Sequence, residues 1–152
     1  MEFYNIAHLG YIISLLLFLI LLIVIYFRDR KNIVNKLFAL IILLTCIWLF
    51  TVLMTDTSKT YRWALFWSKT AIIGPAFIPY FLLLFSFVFP KDHKNLPTLT
   101  KNILLALPGL LIVFLSPTSL NVKSVKIEPW GAALETGILY PLLFLYLSLI
   151  HI

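Results

Sequence analysis

The sequence predicts an all-α membrane protein: a polytopic helix bundle of four complete transmembrane helices plus a partial fifth, with a candidate small extracytoplasmic β-hairpin. Two measures of composition support this fold class. The chain is 62% hydrophobic and only 12% charged, whereas a soluble domain is nearer half apolar and a quarter charged. Mean hydropathy is +1.03. The apolar residues also gather in long uncharged runs, and such runs are typical of helices that cross a bilayer.

The first run, "YIISLLLFLILLIVIYF", carries no charge and ends at "RDRK". It is too long for the apolar core of a signal peptide and lacks a small-residue cleavage site, so we predict an uncleaved span. The second run contains Thr45, Cys46 and Thr51, small residues of the kind that helix contacts in lipid favour. The predicted spans cover about 7–27, 34–54, 61–89, 101–118 and, in part, 138–152.

The third span carries Gly74, Pro75 and Pro79 within its apolar run. Proline removes a backbone donor and bends a helix, and a bilayer protein tolerates this where neighbouring helices satisfy the freed carbonyl. Two interpretations are open. Either the three residues kink the span to fit its neighbours, or they form a hinge that moves during signalling.

The loop 116–137 is the only sizeable segment outside the predicted spans. Its stretch "VKSVKIE" is rich in β-branched residues and partly alternating, and "EPWG" is turn-like. These features predict a small β-hairpin over one face of the membrane. The alternative is an irregular loop with Trp130 at the lipid interface.

The basic residues predict the orientation. Loops 1 and 3 carry seven Lys and Arg residues, and the opposite side carries four, or five with Lys69. Basic residues favour the cytoplasmic side, so the N-terminus is predicted outside and the loop 116–137 extracytoplasmic. The net charge of +6 is then explained by cytoplasmic loops, and no nucleic-acid partner is predicted. The partner is the lipid bilayer.

The sequence contains no reaction centre. It has no glycine-rich phosphate loop, no Cys/His metal spacing and no H-E-x-x-H motif. The histidines His8, His93 and His151 are too scattered to suggest a ligand set. We therefore predict no catalytic residue, no cofactor and no metal in this chain.

The candidate ligand pocket consists of charged and aromatic residues near the outer end of span 3. Arg62 and Lys69 are seven residues apart and share a helix face, while Trp63 and Trp67 lie four apart on a neighbouring stripe. With Trp130 they would form the rim of a pocket for an anionic or amphipathic ligand. The alternative is an interfacial aromatic belt, with the Lys69 side chain reaching to the membrane surface.

Beyond composition, the segments "NKLFALIILLTCIWLFTVLM" and "YRWALFWSKTAIIGPAFIPYFLLLFSFVFP" resemble the N-terminal seven-transmembrane sensor region of bacterial histidine kinases. "ILLALPGLLIVFLSPT" is similar to the family's fourth span and "ETGILYPLLFLY" to its entry into the fifth. The resemblance covers about 35–146. The residues that match the family's pattern in the second and third spans are Phe38, Trp48, Trp67, Lys69, Gly74, Pro75, Pro79 and Phe81.

The resemblance implies seven spans, an outside N-terminus and a location in the bacterial cytoplasmic (inner) membrane. It implies a cytoplasmic output module, usually an ATP-dependent kinase that autophosphorylates on His, acts as a homodimer and passes the phosphoryl group to a response regulator. Some relatives carry a diguanylate cyclase instead. Two spans and the catalytic portion are expected to be missing here. A transporter or channel fragment and a membrane scaffold or assembly protein remain rival interpretations.

The last six residues, "LSLIHI", resemble the translation of a transposon end sequence used in preparing DNA libraries. We therefore expect 1–146 to be the native part of the sensor domain and 147–152 to be sequencing-adapter read-through. The expected fifth span is then cut short after Tyr146. A helix that crosses a bilayer needs about 20 residues, more than remain there. His151 would have no biological role.

Overall fold

The computed structural model describes residues 2–89, 97–129 and 131–151. Within them the chain is mostly helical, with one small sheet. In chain order the elements are α1 (Glu2–Arg28), α2 (Ile33–Thr57), α3 (Tyr61–Thr70), α4 (Ile73–Val88), α5 (Leu99–Leu115), β1 (Val122–Glu128), β2 (Gly131–Thr136) and α6 (Tyr140–His151). Helix α6 includes 147–151, whose predicted origin in an adapter stays a prediction.

Three segments of the described chain are long and apolar enough to cross a membrane: Ile6–Arg28, Ile33–Thr57 and Tyr61–Val88. The chain is therefore a membrane helix bundle. Helix α5 is apolar but has only 17 residues, a length of roughly 26 Å against a hydrocarbon core of roughly 30 Å.

The fourth predicted span, about 101–118, corresponds to helix α5. Helix α5 begins at Leu99 and ends at Leu115. It ends there because Pro117 has no N–H to give to the Val113 carbonyl. That carbonyl instead accepts a hydrogen bond of 3.1 Å from the Ser116 N–H, only three residues further on.

Helix α2 is the centre of the bundle. It packs against α1, α3 and α4, while α5 packs against α4, and α6 packs against α4 and α5. Helix α1 lies at the edge, and none of the residues in its most apolar stretch is buried inside the bundle. Apolar side chains in that position are suited to contact with acyl chains.

Two glycines let helices approach closely. A Cβ on Gly74 would lie 2.6 Å from Trp48 Cβ, and one on Gly109 would lie 2.6 Å from the Ala76 carbonyl oxygen. Neither position has room for a side chain. Because small residues allow backbones to approach in lipid, these glycines set the spacing of α4 against α2 and α5.

The third predicted span, 61–89, is not one continuous helix. It is divided into α3 and α4 by a turn at Ala71 and Ile72. A proline ring conflicts with the carbonyl four residues earlier, and for Pro75 that residue is Ala71. Pro79 lies inside α4, which continues past it.

The strands β1 and β2 form an antiparallel pair, with Val125 opposite Leu134 and Glu128 opposite Gly131. β1 packs on α3 and β2 packs on α2, so the pair lies folded over one end of the bundle. Its inward side chains join the main buried cluster, whose members are Ala64, Ile72, Ala76, Ile112, Val122, Val125, Leu143 and Tyr146.

Candidate functional site

The candidate site is a junction between α3 and the end of α5. The Lys69 ammonium donates a hydrogen bond to the Pro117 carbonyl oxygen, with Nζ 2.7 Å from that oxygen. In return the Ser116 hydroxyl donates to the Lys69 carbonyl oxygen. Ser116 is buried. Two reciprocal contacts thus hold α3 to α5, immediately before the turn at Ala71 and Ile72.

A cleft of about 420 Å³ opens beside this junction. Its wall is mostly apolar, and among the described residues that line it Lys69 is the only charged one. The partner of Lys69 is the neutral Pro117 carbonyl. The lining residues are Phe66, Lys69, Thr70, Ile73, Val113, Ser116 and Pro117.

Asn121 fixes the base of the strand pair to α5. Its side chain is 1% exposed, and its amide nitrogen donates to the Ile112 carbonyl at 3.0 Å. The backbone carbonyl of Asn121 accepts a hydrogen bond from the Gly137 N–H at 2.8 Å. The segment that enters β1 and the segment that leaves β2 therefore meet at one buried asparagine.

A second tether joins the strand pair to α2. The Asp56 carboxylate accepts a long hydrogen bond of 3.4 Å from the Ala132 N–H. On the outer surface of the pair, the Ser124 hydroxyl and the Lys123 ammonium both donate to Glu135. The hydrogen bond from Ser124, followed by the contact with Lys123, holds the pKa of Glu135 below its ordinary value.

The predicted pocket residues do not all line one cavity. Arg62 and Trp63 border a separate cleft of about 440 Å³, together with Phe66. Phe66 thus lines both clefts. Arg62 and Lys69 line different clefts, because seven residues of helix separate them by roughly 10 Å along the axis. Trp130 lies outside the described residues.

Trp67, also predicted to belong to the pocket rim, packs against another helix instead. Its ring meets that of Phe50 on α2 edge-on, with the ring centroids 5.7 Å apart. It therefore contributes to the α2–α3 contact rather than to either cleft lining. Trp63, in contrast, is largely exposed.

The comparison with known families decides the classification. Residues 10–152 match the family model described as the N-terminal 7TM region of histidine kinase. The chain belongs to this family. The resemblance seen in the second and third spans is thereby confirmed. No curated protein and no solved structure matches the chain.

Within this 7TM histidine kinase region, the three predicted hinge residues have different structural roles. Gly74 is a packing position against Trp48, Pro75 explains the turn between α3 and α4, and Pro79 is buried inside α4. Movement at these positions stays a prediction.

Sequence reasoning missed several residues of the site. Ser116, Pro117, Phe66 and Thr70 have no unusual spacing or charge, so nothing in the sequence marked them. Asn121 could have been noticed, because it is a lone amide just ahead of a β-branched run. The described residues contain no group of three or more His, Cys, Asp or Glu suited to hold a metal ion.

Proposed function

We propose that this chain is the membrane-embedded sensory input domain of a two-component histidine kinase, with the kinase's catalytic part outside these 152 residues. The observation that carries the proposal is the family match over residues 10–152. It is supported by a sequence rich in membrane helices and without any nucleotide-binding or phosphoryl-transfer motif.

The proposed setting is the bacterial cytoplasmic membrane, with the N-terminus outside, α5 as the fourth span and α6 as the start of the fifth. The excess of Lys and Arg in loops 1 and 3 supports this orientation. The strand pair and the α3–α5 cleft then lie at the extracytoplasmic end. The intact kinase acts as a homodimer and transfers its phosphoryl group to a response regulator.

The proposed mechanism is a shift between two packings of the bundle. A stimulus that binds one packing better than the other changes their populations, and rigid helices transmit the change to the output module. The junction of Lys69, Ser116 and Pro117 is suited to this role, because it links two helices beside a helix break.

The intact protein that carries this region, reconstituted in lipid vesicles, provides the test. We expect autophosphorylation on His that changes with the stimulus, and no solute flux. Flux without phosphorylation would favour a transporter or channel, and neither activity would favour a scaffold or assembly protein. Synthesis of cyclic diguanylate in place of phosphorylation would assign the region to a diguanylate cyclase.

A further inference from the structure

We propose that the α3–α5 cleft binds a long-chain carboxylate, whose headgroup pairs with the Lys69 ammonium in place of the Pro117 carbonyl. This deepens the sensory role proposed above and rests on it for the signalling consequence. The binding itself is a property of this chain alone and can be measured without a kinase.

The charge of the cleft favours an anion. Lys69 is the only charged residue among the described lining residues, and its partner is a neutral carbonyl at 2.7 Å. The bond to Pro117 already has an ionised donor, but a carboxylate acceptor adds the attraction between opposite charges, which a neutral carbonyl lacks. A carboxylate that enters the cleft therefore competes well with Pro117 for the ammonium.

The hydroxyl donors of the cleft are already hydrogen-bonded within the protein, and this favours a carboxylate over a phosphate as the ligand. The Thr70 hydroxyl donates to the Phe66 carbonyl at 2.9 Å, and the Ser116 hydroxyl donates to the Lys69 carbonyl. Among the described lining side chains, Lys69 is left as the donor for a ligand. One ammonium matches a single negative charge, whereas a phosphate has three strong acceptor oxygens to satisfy.

The rest of the wall favours a hydrocarbon chain. Phe66, Ile73 and Val113 supply apolar surface from three different helices. The volume of about 420 Å³ lies within the range of small-molecule sites, roughly 300 to 1,000 Å³. A single acyl chain reaches such a cleft from the membrane, with its carboxylate at the level of the Lys69 ammonium.

Binding would loosen one of the two contacts that join α3 to α5. The Pro117 carbonyl lies directly after the end of α5, and Lys69 lies two residues before the turn at Ala71 and Ile72. When the ammonium turns to the ligand, the helix break becomes freer to change its angle. This is the step at which ligand binding would shift the bundle between its packings.

The test uses the 152-residue chain in nanodiscs made of zwitterionic lipid, with a photoreactive palmitate analogue as the probe. We expect saturable labelling of peptides from α3 and α5, and about tenfold weaker binding in Lys69→Gln, since a hydrogen bond to a charged group is lost. The matched control is Arg62→Gln, which removes the same charge from the same helix but lies in the other cleft. It should label as the wild type does.

Two further variants cover the case in which Lys69→Gln folds poorly. Val113→Trp keeps the ammonium but fills the cleft, so it should also weaken labelling, whereas Lys69→Arg should retain most of it. The proposal is overturned if the methyl ester of the probe labels equally well or if Arg62→Gln is as defective as Lys69→Gln. It is also overturned if phosphatidylglycerol competes as well as palmitate does, since the site would then select a phosphodiester lipid.

The failure of this proposal is distinguishable from failure of the proposed function. Stimulus-dependent phosphorylation of the intact kinase without palmitate binding overturns the ligand assignment alone. Saturable binding that depends on Lys69, in an intact protein that never phosphorylates itself, supports the ligand site and overturns the kinase role.

Discussion

Asn121 shows how much a single buried amide can organise. Its side chain holds the Ile112 carbonyl, and its backbone holds the Gly137 N–H. Removing one partner of a buried hydrogen bond costs about 1–3 kcal/mol, so this residue is a main anchor of the strand pair. Lys69 and Ser116 have the same role between α3 and α5, with the difference that Lys69 carries a charge and borders a cleft.

At the residue scale we predict that Glu135 makes the strand pair sensitive to acid. Because its pKa is lowered in the folded protein by the hydrogen bond from Ser124 and by Lys123, its contribution to stability is complete above its unfolded pKa, about 4.3. That contribution is lost as the pH falls through the lower folded value. The melting temperature should therefore be level from about pH 7 to 5 and fall below about pH 4.

The variant Glu135→Gln should lack the part of the fall in melting temperature at low pH that Glu135 causes. Glu128→Gln removes a carboxylate from the same strand pair while leaving both contacts of Glu135 in place, so it should keep that part. Identical profiles for the wild type and Glu135→Gln would show that the Ser124 and Lys123 contacts do not stabilise the fold.

At the element scale, α4 approaches α2 closely at Gly74. A Cβ there would lie 2.6 Å from the Trp48 Cβ, which is rigidly attached to its backbone. We predict that Gly74→Ala destabilises the protein by about 1–3 kcal/mol, the usual cost of overpacking. The melting temperature in detergent measures this.

The matched control is Gly10→Ala, because a Cβ at Gly10 meets nothing within 4 Å. In a helix this change should be neutral or stabilising by up to about 1 kcal/mol. Equal melting temperatures for the two variants would mean that α4 and α2 are not in close contact at Gly74.

The break between α3 and α4 leads to a second prediction for an element. Pro75→Ala supplies the N–H that the Ala71 carbonyl lacks, so α3 and α4 should merge into one straighter helix. Spin labels at Tyr61 and Phe87, in a Cys46→Ser background, should give a narrower distance distribution in this variant. Pro141→Ala is the control, since a proline in the first turn of α6 occupies a position where its missing N–H is not needed.

The spans were easier to predict than the site. Long uncharged runs show the membrane helices, because charge in the hydrocarbon core is costly. The turn at Ala71 was not predictable, since two prolines and a glycine lay within six residues and packing against Trp48 decides how each is accommodated. The contact between Lys69 and Pro117 joins residues 48 apart, and no local pattern reports such a distant pairing.

At the scale of the whole molecule, the orientation can be tested directly. We predict that a membrane-impermeant maleimide labels the Lys123→Cys variant on intact cells, in a Cys46→Ser background. The Arg30→Cys variant should label only after the cells are permeabilised, because loop 1 is proposed to be cytoplasmic. The reverse pattern would place the strand pair and the α3–α5 cleft in the cytoplasm.

The proposed function requires a coupling between this bundle and a kinase. In that coupling, the packing of α3 against α5 sets the output of a catalytic part that is proposed to lie outside these 152 residues. Changes at the junction should then alter phosphorylation at a distance, while a change of equal charge on the far cleft should not.

The most direct measurement is the autophosphorylation rate of the intact kinase in nanodiscs, compared between wild type, Lys69→Gln and Arg62→Gln. We predict that Lys69→Gln shifts the rate about fivefold or more, the lower limit of a typical coupling free energy of 1–3 kcal/mol, and that Arg62→Gln leaves it unchanged. Equal rates in all three proteins, with Lys69→Gln shown to be folded, would contradict the claim that this junction controls the output of a sensor kinase.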